Sequence, residues 1–373
     1  MASTDSPGSR RSERFDLVLF DVFRDGHRRD YFRVLRRVLG GRVAWGSFAH
    51  RWPLLLRARK LVCSTCDDYL AKFFVLAFVR MLLGRPTVGL SVRAETIFQR
   101  AGFAQTVKRA MLRVLKYLPG AQLVTFMPYW VEPRLKHYTS DWMYDLQYWD
   151  LPWLTPSPAG ALRALRADLH QRAQGRRIVA TVGHQRCVKG VEYFMQIFCD
   201  RPEVREAYLF ACVGPIWDVD RTLVARFVSC GGVFADRALR DDEVVPIYSM
   251  CDLIWVCYRP DYDQSSGIFG RAIQLDRPTV VREGSYLATL QTRLSREGIA
   301  VPYDRAGLAA AALSGATSAA HARCVSRPER TSEFLCGLLG VEHRPRPLGG
   351  IGARRAPASS PLACGHPILE EDR

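Results

Sequence analysis

The 373-residue chain reads as an α/β protein made of two doubly wound domains, and three observations carry that reading. Short apolar runs recur along the chain, each followed by a polar loop and an amphipathic helical pattern, the signature of parallel strands with helices on both sheet faces. The alternation is interrupted at Asp150 to Gly160, a Pro-rich stretch that makes a natural linker. The length suits two domains of ordinary size.

Residues 1–13 read as a polar, flexible leader. In the first domain, residues 14–150, Phe15 to Phe20 is a strand, Asp25-Gly26-His27 turns the chain, and a helix follows from about Arg29 to Leu39. Leu61 to Cys63, Pro86 to Leu90 and Leu123 to Phe126 are further short strands. Residues 151–160 are the linker. The second domain, residues 161–342, has strands at 177–183, 208–214, 231–235, 253–257, 278–282 and 299–302. Helices between them include Val219 to Ser229 and Asp241 to Met250, and Glu329 to Leu339 is a last helix. From 343 to 373 Pro, Gly, Arg, Ala and Ser dominate, a composition that predicts disorder.

Hydrophobic residues make up 48% and charged residues 24%, a normal globular balance. The formal charge of +16 is placed unevenly. Residues 1–150 hold 25 Lys and Arg against 13 Asp and Glu, whereas the remainder holds 28 against 24. A basic first half suits a polyanion: a membrane surface, an anionic glycan or a nucleic acid. With no helix-turn-helix, zinc-finger or RNA-binding signature, nucleic acid is not expected. In Gln105 to Leu118 one stripe holds Val107, Met111, Val114, Leu115 and Leu118 and another holds Arg109, Arg113 and Lys116, a pattern that fits docking on anionic lipid or a plain core-facing helix.

The most hydrophobic run, Leu70 to Gly84, contains Lys72 and Arg80 and is too short to span a bilayer, so it reads as a buried or interfacial helix. The first twelve residues are polar, and no secretory leader is expected. Cys212, Cys251, Cys257 and Cys336 sit in apolar contexts, which fits packed, reduced thiols in a cytoplasmic protein. Cys63-Ser-Thr-Cys66 has metal or redox spacing but no second Cys/His pair beside it, and no metal is expected.

Two segments carry chemistry. Arg177 to Gly183 is a strand ending in Gly, and His184-Gln-Arg186-Cys-Val-Lys189-Gly190 then leads into an amphipathic helix. Leu253 to Cys257 is a buried strand, a polar loop follows, and Ser265-Ser266-Gly267 opens a short helix before Pro278-Thr-Val-Val281 begins the next strand. A helix start with small residues presents free N–H groups to a phosphate or diphosphate.

The order of these segments resembles the donor-binding domain of GT-B glycosyltransferases, in particular the large retaining group that uses nucleotide sugars. That resemblance implies two Rossmann-like domains facing a cleft. It also implies transfer of a hexose-type sugar from a nucleoside-diphosphate sugar to a hydroxyl of a glycan or lipid-linked acceptor, with no cofactor beyond the donor. By the same comparison Arg186 and Lys189 neutralise the diphosphate, and Gly183, His184 and the Ser265-Ser266-Gly267 helix start surround it. Asp236 and Arg237, after the strand at 231–235, fall where relatives bind the nucleobase. Gly26, His27, Arg93 and Glu95 fall on the acceptor side. The family's Glu-x7-Glu aligns with Asp263 and Arg271. Asp263 keeps a carboxylate near the sugar, but Arg271 cannot accept hydrogen bonds from a ribose, because a guanidinium only donates. A sugar-nucleotide epimerase of similar fold, or a non-catalytic binding protein on the same scaffold, are the alternatives.

Overall fold

The computed structural model describes residues 16–24, 27–99, 102–151, 162–294, 296–315 and 328–340. All of the expected leader and tail, and all of the expected linker but residue 151, lie outside them. The first sheet consists of β1 (Leu17–Asp21), β2 (Arg42–Trp45), β3 (Lys60–Cys63), β4 (Thr87–Ser91), β5 (Ala121–Thr125) and β6 (Asp141–Trp142). Its order is 2-1-3-4-5-6, with every neighbour parallel. Five helices belong to it: α1 (His27–Leu39), α2 (Phe48–Arg57), α3 (Leu70–Leu82), α4 (Thr96–Gln99) and α5 (Phe103–Tyr117).

Alternating side chains sort these helices between the two faces. Leu17 and Leu19 share a core with Tyr31, Phe32 and Leu35 of α1. Val18 and Phe20 face the other way, into a core with Leu55 of α2, Phe73 and Leu76 of α3, and Leu112 and Leu115 of α5. Cys63 and Cys66 are buried in this second core, where desolvation pushes both thiols up.

The second domain begins with α6 (Leu162–Ala173). It continues through β7 (Arg177–Val182), β8 (Gln185–Arg186), α7 (Val191–Asp200), α8 (Pro202–Ala207), β9 (Tyr208–Val213), β10 (Ile216–Trp217), α9 (Arg221–Ser229) and β11 (Val233–Ala235). Then come α10 (Asp241–Met250), β12 (Leu253–Val256), α11 (Gly267–Gln274), β13 (Thr279–Arg282), α12 (Tyr286–Arg293), β14 (Gly298–Val301) and α13 (Ala306–Ser314). Its main sheet runs 11-9-7-12-13-14, again all parallel, while β8 and β10 pair as a small separate ribbon. Two doubly wound α/β domains are therefore present.

The halves are not joined by the linker alone. A final helix, α14 (Pro328–Leu339), returns to the first domain, where Leu335, Cys336 and Leu339 enter the α1 core. Lys60 Nζ donates to the Gly340 carbonyl at 2.8 Å beside it. The same core also takes in Leu146, Tyr148 and Trp149 from the end of the first domain together with Phe269, Val281 and Tyr286 of the second. No described helix is long and apolar enough to cross a membrane.

Candidate functional site

In each sheet the strand order reverses beside the first strand, between β1 and β3 in one and between β7 and β12 in the other. A crevice forms outside the carboxyl ends of strands at such switch points. Here the two crevices face each other, and a cleft of about 680 Å³ lies between them.

The second-domain wall starts with the loop after β7. Gly183, His184, Arg186 and Lys189 all line the cleft. The loop is held close to the end of β12, because a side chain on Gly190 (φ +71°) would overlap the Cys257 carbonyl. Asp218, after β10, fixes its direction by accepting from Arg186 at 3.1 Å and from the Cys187 amide at 3.0 Å. The His184 ring meets Trp217 edge-on, with centroids 4.6 Å apart, and burial together with Lys189 and Arg186 lowers its pKa. The half-buried Lys189 ammonium donates to the His184 carbonyl at 2.7 Å, and among the described residues it has no carboxylate partner. Desolvation, aided by Arg186, pushes its pKa down to about 8.

The facing part of that wall is the start of α11. Ser266 is its N-cap, accepting from the Phe269 amide at 3.2 Å and sharing a 2.7 Å hydrogen bond with Tyr258. Ser265 donates to Asp145 at 2.8 Å. A Cβ on Gly267 would overlap the Gln147 amide group, so the small residue admits a side chain of the first domain as well as any ligand.

The first-domain wall comes from the ends of β3 and β4 and from α1: Thr65, Asp67, Asp68, Val92, Arg93, Arg28 and Asp30. Asp67 is half-buried and accepts from the Val92 and Arg93 amides at 2.6 and 3.1 Å, and desolvation raises its pKa. Asp68 is clamped between Arg28 and Arg93. Asp145, which also receives Tyr31 Oη at 3.2 Å, is pushed up to about 6 by its burial.

Gly183, His184, Arg186, Lys189, Ser265, Ser266, Gly267, Arg93 and Arg271 are thus brought together on one cleft. Other expectations are redirected. Asp263 does not line the cleft; its carboxylate accepts from the Tyr286 amide at 3.0 and 3.1 Å, capping α12, and pairs with Arg282 at 3.2 Å. Arg271 reaches the cleft wall, but it is bound to Asp30 at 2.9 Å and to the buried Asp150 at 2.8 Å. Asp236 accepts from the Ile216 amide and Arg221, and Arg237 grips Glu243, so Ala238 and Leu239 take the wall in their place. Glu95 is buried rather than on the wall, and among the described residues neither carboxylate oxygen has a hydrogen-bond partner. Gly26 lies outside the described residues, and His27 is the first residue of α1.

Arg28, Asp30, Asp67, Asp68, Asp145 and Gln147 escaped the sequence reading. Asp67-Asp68 carried a usable signal, an acidic pair directly after an apolar strand. Asp30 and Asp145 carried none, since their partners are 241 and 120 positions away.

Two parallel doubly wound domains opening onto a shared cleft define the GT-B fold, and this chain has it. No protein-family model and no curated protein matches the chain. Among solved structures it is similar to Anabaena HepE in complex with UDP, at 12% identity over 80% of this chain and 89% of that one, with a TM-score of 0.57. It is similar to the trehalose-6-phosphate synthase OtsA at 11% identity over 88% and 100%, also with a TM-score of 0.57. S. aureus MnaA, solved with UDP, gives 8% identity over 80% and 88% and a TM-score of 0.51.

Proposed function

We propose that this protein is a glycosyltransferase that moves a sugar from a nucleoside diphosphate to a hydroxyl of a glycan or lipid-linked acceptor. The observation that carries this reading is Lys189, an ammonium held at the cleft with no carboxylate partner among the described residues and with Arg186 close enough to depress its pKa. Arg186 already has Asp218 as its anion, but the desolvated Lys189 ammonium beside it is unfavourable until a ligand brings one. A diphosphate between the β7 loop and the start of α11 supplies that anion, and the structures of HepE and MnaA, both solved with UDP, support its being a uridine one. The same groups stabilise the charge that grows on the leaving diphosphate during transfer.

Calorimetric titration with UDP tests this. Lys189→Ala should weaken binding by about ten- to a hundredfold, the range of one charge-assisted hydrogen bond of about 1.5–3 kcal/mol. The pH dependence has a definite sign. The free protein loses the Lys189 proton near pH 8 and bound diphosphate favours the ammonium, so affinity should fall as pH rises above about 8. Lys189→Ala should remove that fall, and equal affinity of variant and parent across this range would take Lys189 out of the site.

Two further readings are a binding protein, which Asp263 and Arg271 favour because neither offers the donor a free carboxylate, and an epimerase, for which the cleft carboxylates Asp67 and Asp145 would serve in proton transfer. Incubating UDP-sugars without acceptor separates the three: an epimerase interconverts the donor, a transferase consumes it only when acceptor is added, and a binding protein does neither.

A further inference from the structure

The described surface has most of its large exposed apolar side chains on two neighbouring helices of the first domain. On α3 the outward stripe is Ala71, Val75, Phe78 and Leu82, with Leu83 at its end, and on α5 it is Phe103, Val107, Ala110, Val114 and Tyr117. Both stripes keep helical spacing, and both helices lie on the same sheet face, packed over Phe73, Leu76, Leu112 and Leu115. Exposure is high where it decides the matter: Leu82 is 68%, Tyr117 75% and Phe103 86% accessible. An ordinary surface helix turns its apolar stripe inward; these two have an inner stripe and an outer one.

The charge around the stripes has a single sign. α2, α3 and α5 contain no Asp or Glu and carry eight Lys and Arg, of which Arg80 is the buried one. Arg80 donates to the Ala58 and Pro86 carbonyls and to Thr87, which fixes α3 against its neighbours without touching the outer face. The three cations expected to make a basic stripe on α5 are turned to protein partners: Arg109 donates to the Ile97 carbonyl, Arg113 to Tyr138 Oη and Lys116 to the Lys136 carbonyl. Lys72, Lys108 and Arg57 remain at the exposed rim, while Arg51 donates to the Trp45 carbonyl.

We infer that this face docks on an anionic lipid surface, its apolar stripes entering the headgroup region and its cations resting on phosphates. Apolar side chains ringed by bases fit that boundary. A second copy of the chain fits it poorly, because a two-fold pairing would set the cations of one face against those of the other. The position is apt as well: α3 begins two residues after Asp68, a cleft residue, so an acceptor standing in the membrane would be presented near the cleft. The docking inference itself does not depend on the transfer reading.

Co-sedimentation of the full chain with phosphatidylcholine vesicles containing about one third phosphatidylglycerol tests it. Binding should be present at low salt, weak on pure phosphatidylcholine, and reduced roughly tenfold or more by Phe78→Ser with Leu82→Gln and Phe103→Ser, all solvent-facing changes that leave the core intact. Leu308→Ser, which alters an exposed leucine on α13, is the control and should change nothing. No binding to either vesicle overturns the proposal. So does binding that salt abolishes but the triple variant leaves untouched, which would mean charge alone without a docking face. Sedimentation velocity covers the remaining case: a dimer dissolved by the triple variant, without lipid binding, assigns the face to a second copy and also overturns it.

Discussion

Glu95 illustrates how a single residue acts through its surroundings. Its carboxyl group is buried, unpartnered among the described residues, and pushed up to about 8, first by burial and then by Asp67 and Asp263. The folded protein therefore keeps a proton that the unfolded chain, at an ordinary 4.5, releases. Stability from this group is complete below about pH 4.5 and declines as pH rises toward 8. Glu95→Gln, uncharged at every pH, should thus melt higher than the parent, by a margin that widens between these two values. A constant or shrinking margin in thermal melts would contradict the assignment. Sequence could place Glu95 in the loop after β4; it could not show that the carboxylate is buried, because burial depends on residues far along the chain.

Helix α11 shows the same limit one level up. Its start, its length and its place between β12 and β13 were legible, because an apolar strand, a Ser-Ser-Gly opening and a second apolar strand leave little freedom. The strands inside both sheets were legible for the same reason, whereas β2 and β6 are short edge strands, of four and two residues, in which only Ala44 is buried. What packs on α11 was not legible. The 3-10 turn Leu146–Tyr148 of the first domain lies across it, so that Gly270 faces the Gln147 carbonyl and the Tyr148 ring. Gly270→Ala would set a methyl 2.6 Å from that backbone carbonyl, which cannot swing aside, and should cost about 1–3 kcal/mol as an overpacked contact. Gly267→Ala meets only the mobile end of Gln147 and should cost less. Melting temperatures of the two variants check the ranking, and equal losses would show that the turn yields.

At the scale of the whole molecule, Arg271 sits at the boundary between the halves, bonded to Asp30 of α1 and to Asp150. Removing the guanidinium leaves Asp150, 3% exposed at its side chain, as an uncompensated buried carboxylate, a loss of about 3–5 kcal/mol. Arg271→Gln should lower the melting temperature accordingly. Arg271→Glu, which supplies the residue that the resembling enzymes carry, would gather three carboxylates and should increase the radius of gyration in X-ray scattering as the halves part. Unchanged melting of the Gln variant would reduce this cluster to a surface contact. The two-domain plan was readable from the alternation and the Pro-rich stretch; this ion cluster was not, since it joins positions 121 and 241 apart that no local pattern relates.

The return of α14 onto α1 also sets a timetable for the newborn chain. The apolar face of α1 leaves the ribosome early, yet the helix that covers it is made roughly 300 residues later, and at about 5–20 residues per second that is a delay of about 15–60 s. For that interval the first domain stands with Leu35 and Leu39 lacking a cover that Leu335, Cys336 and Leu339 will later provide. Synthesis that stops short of residue 328 would leave this surface bare for good, a plain invitation to chaperones and proteases.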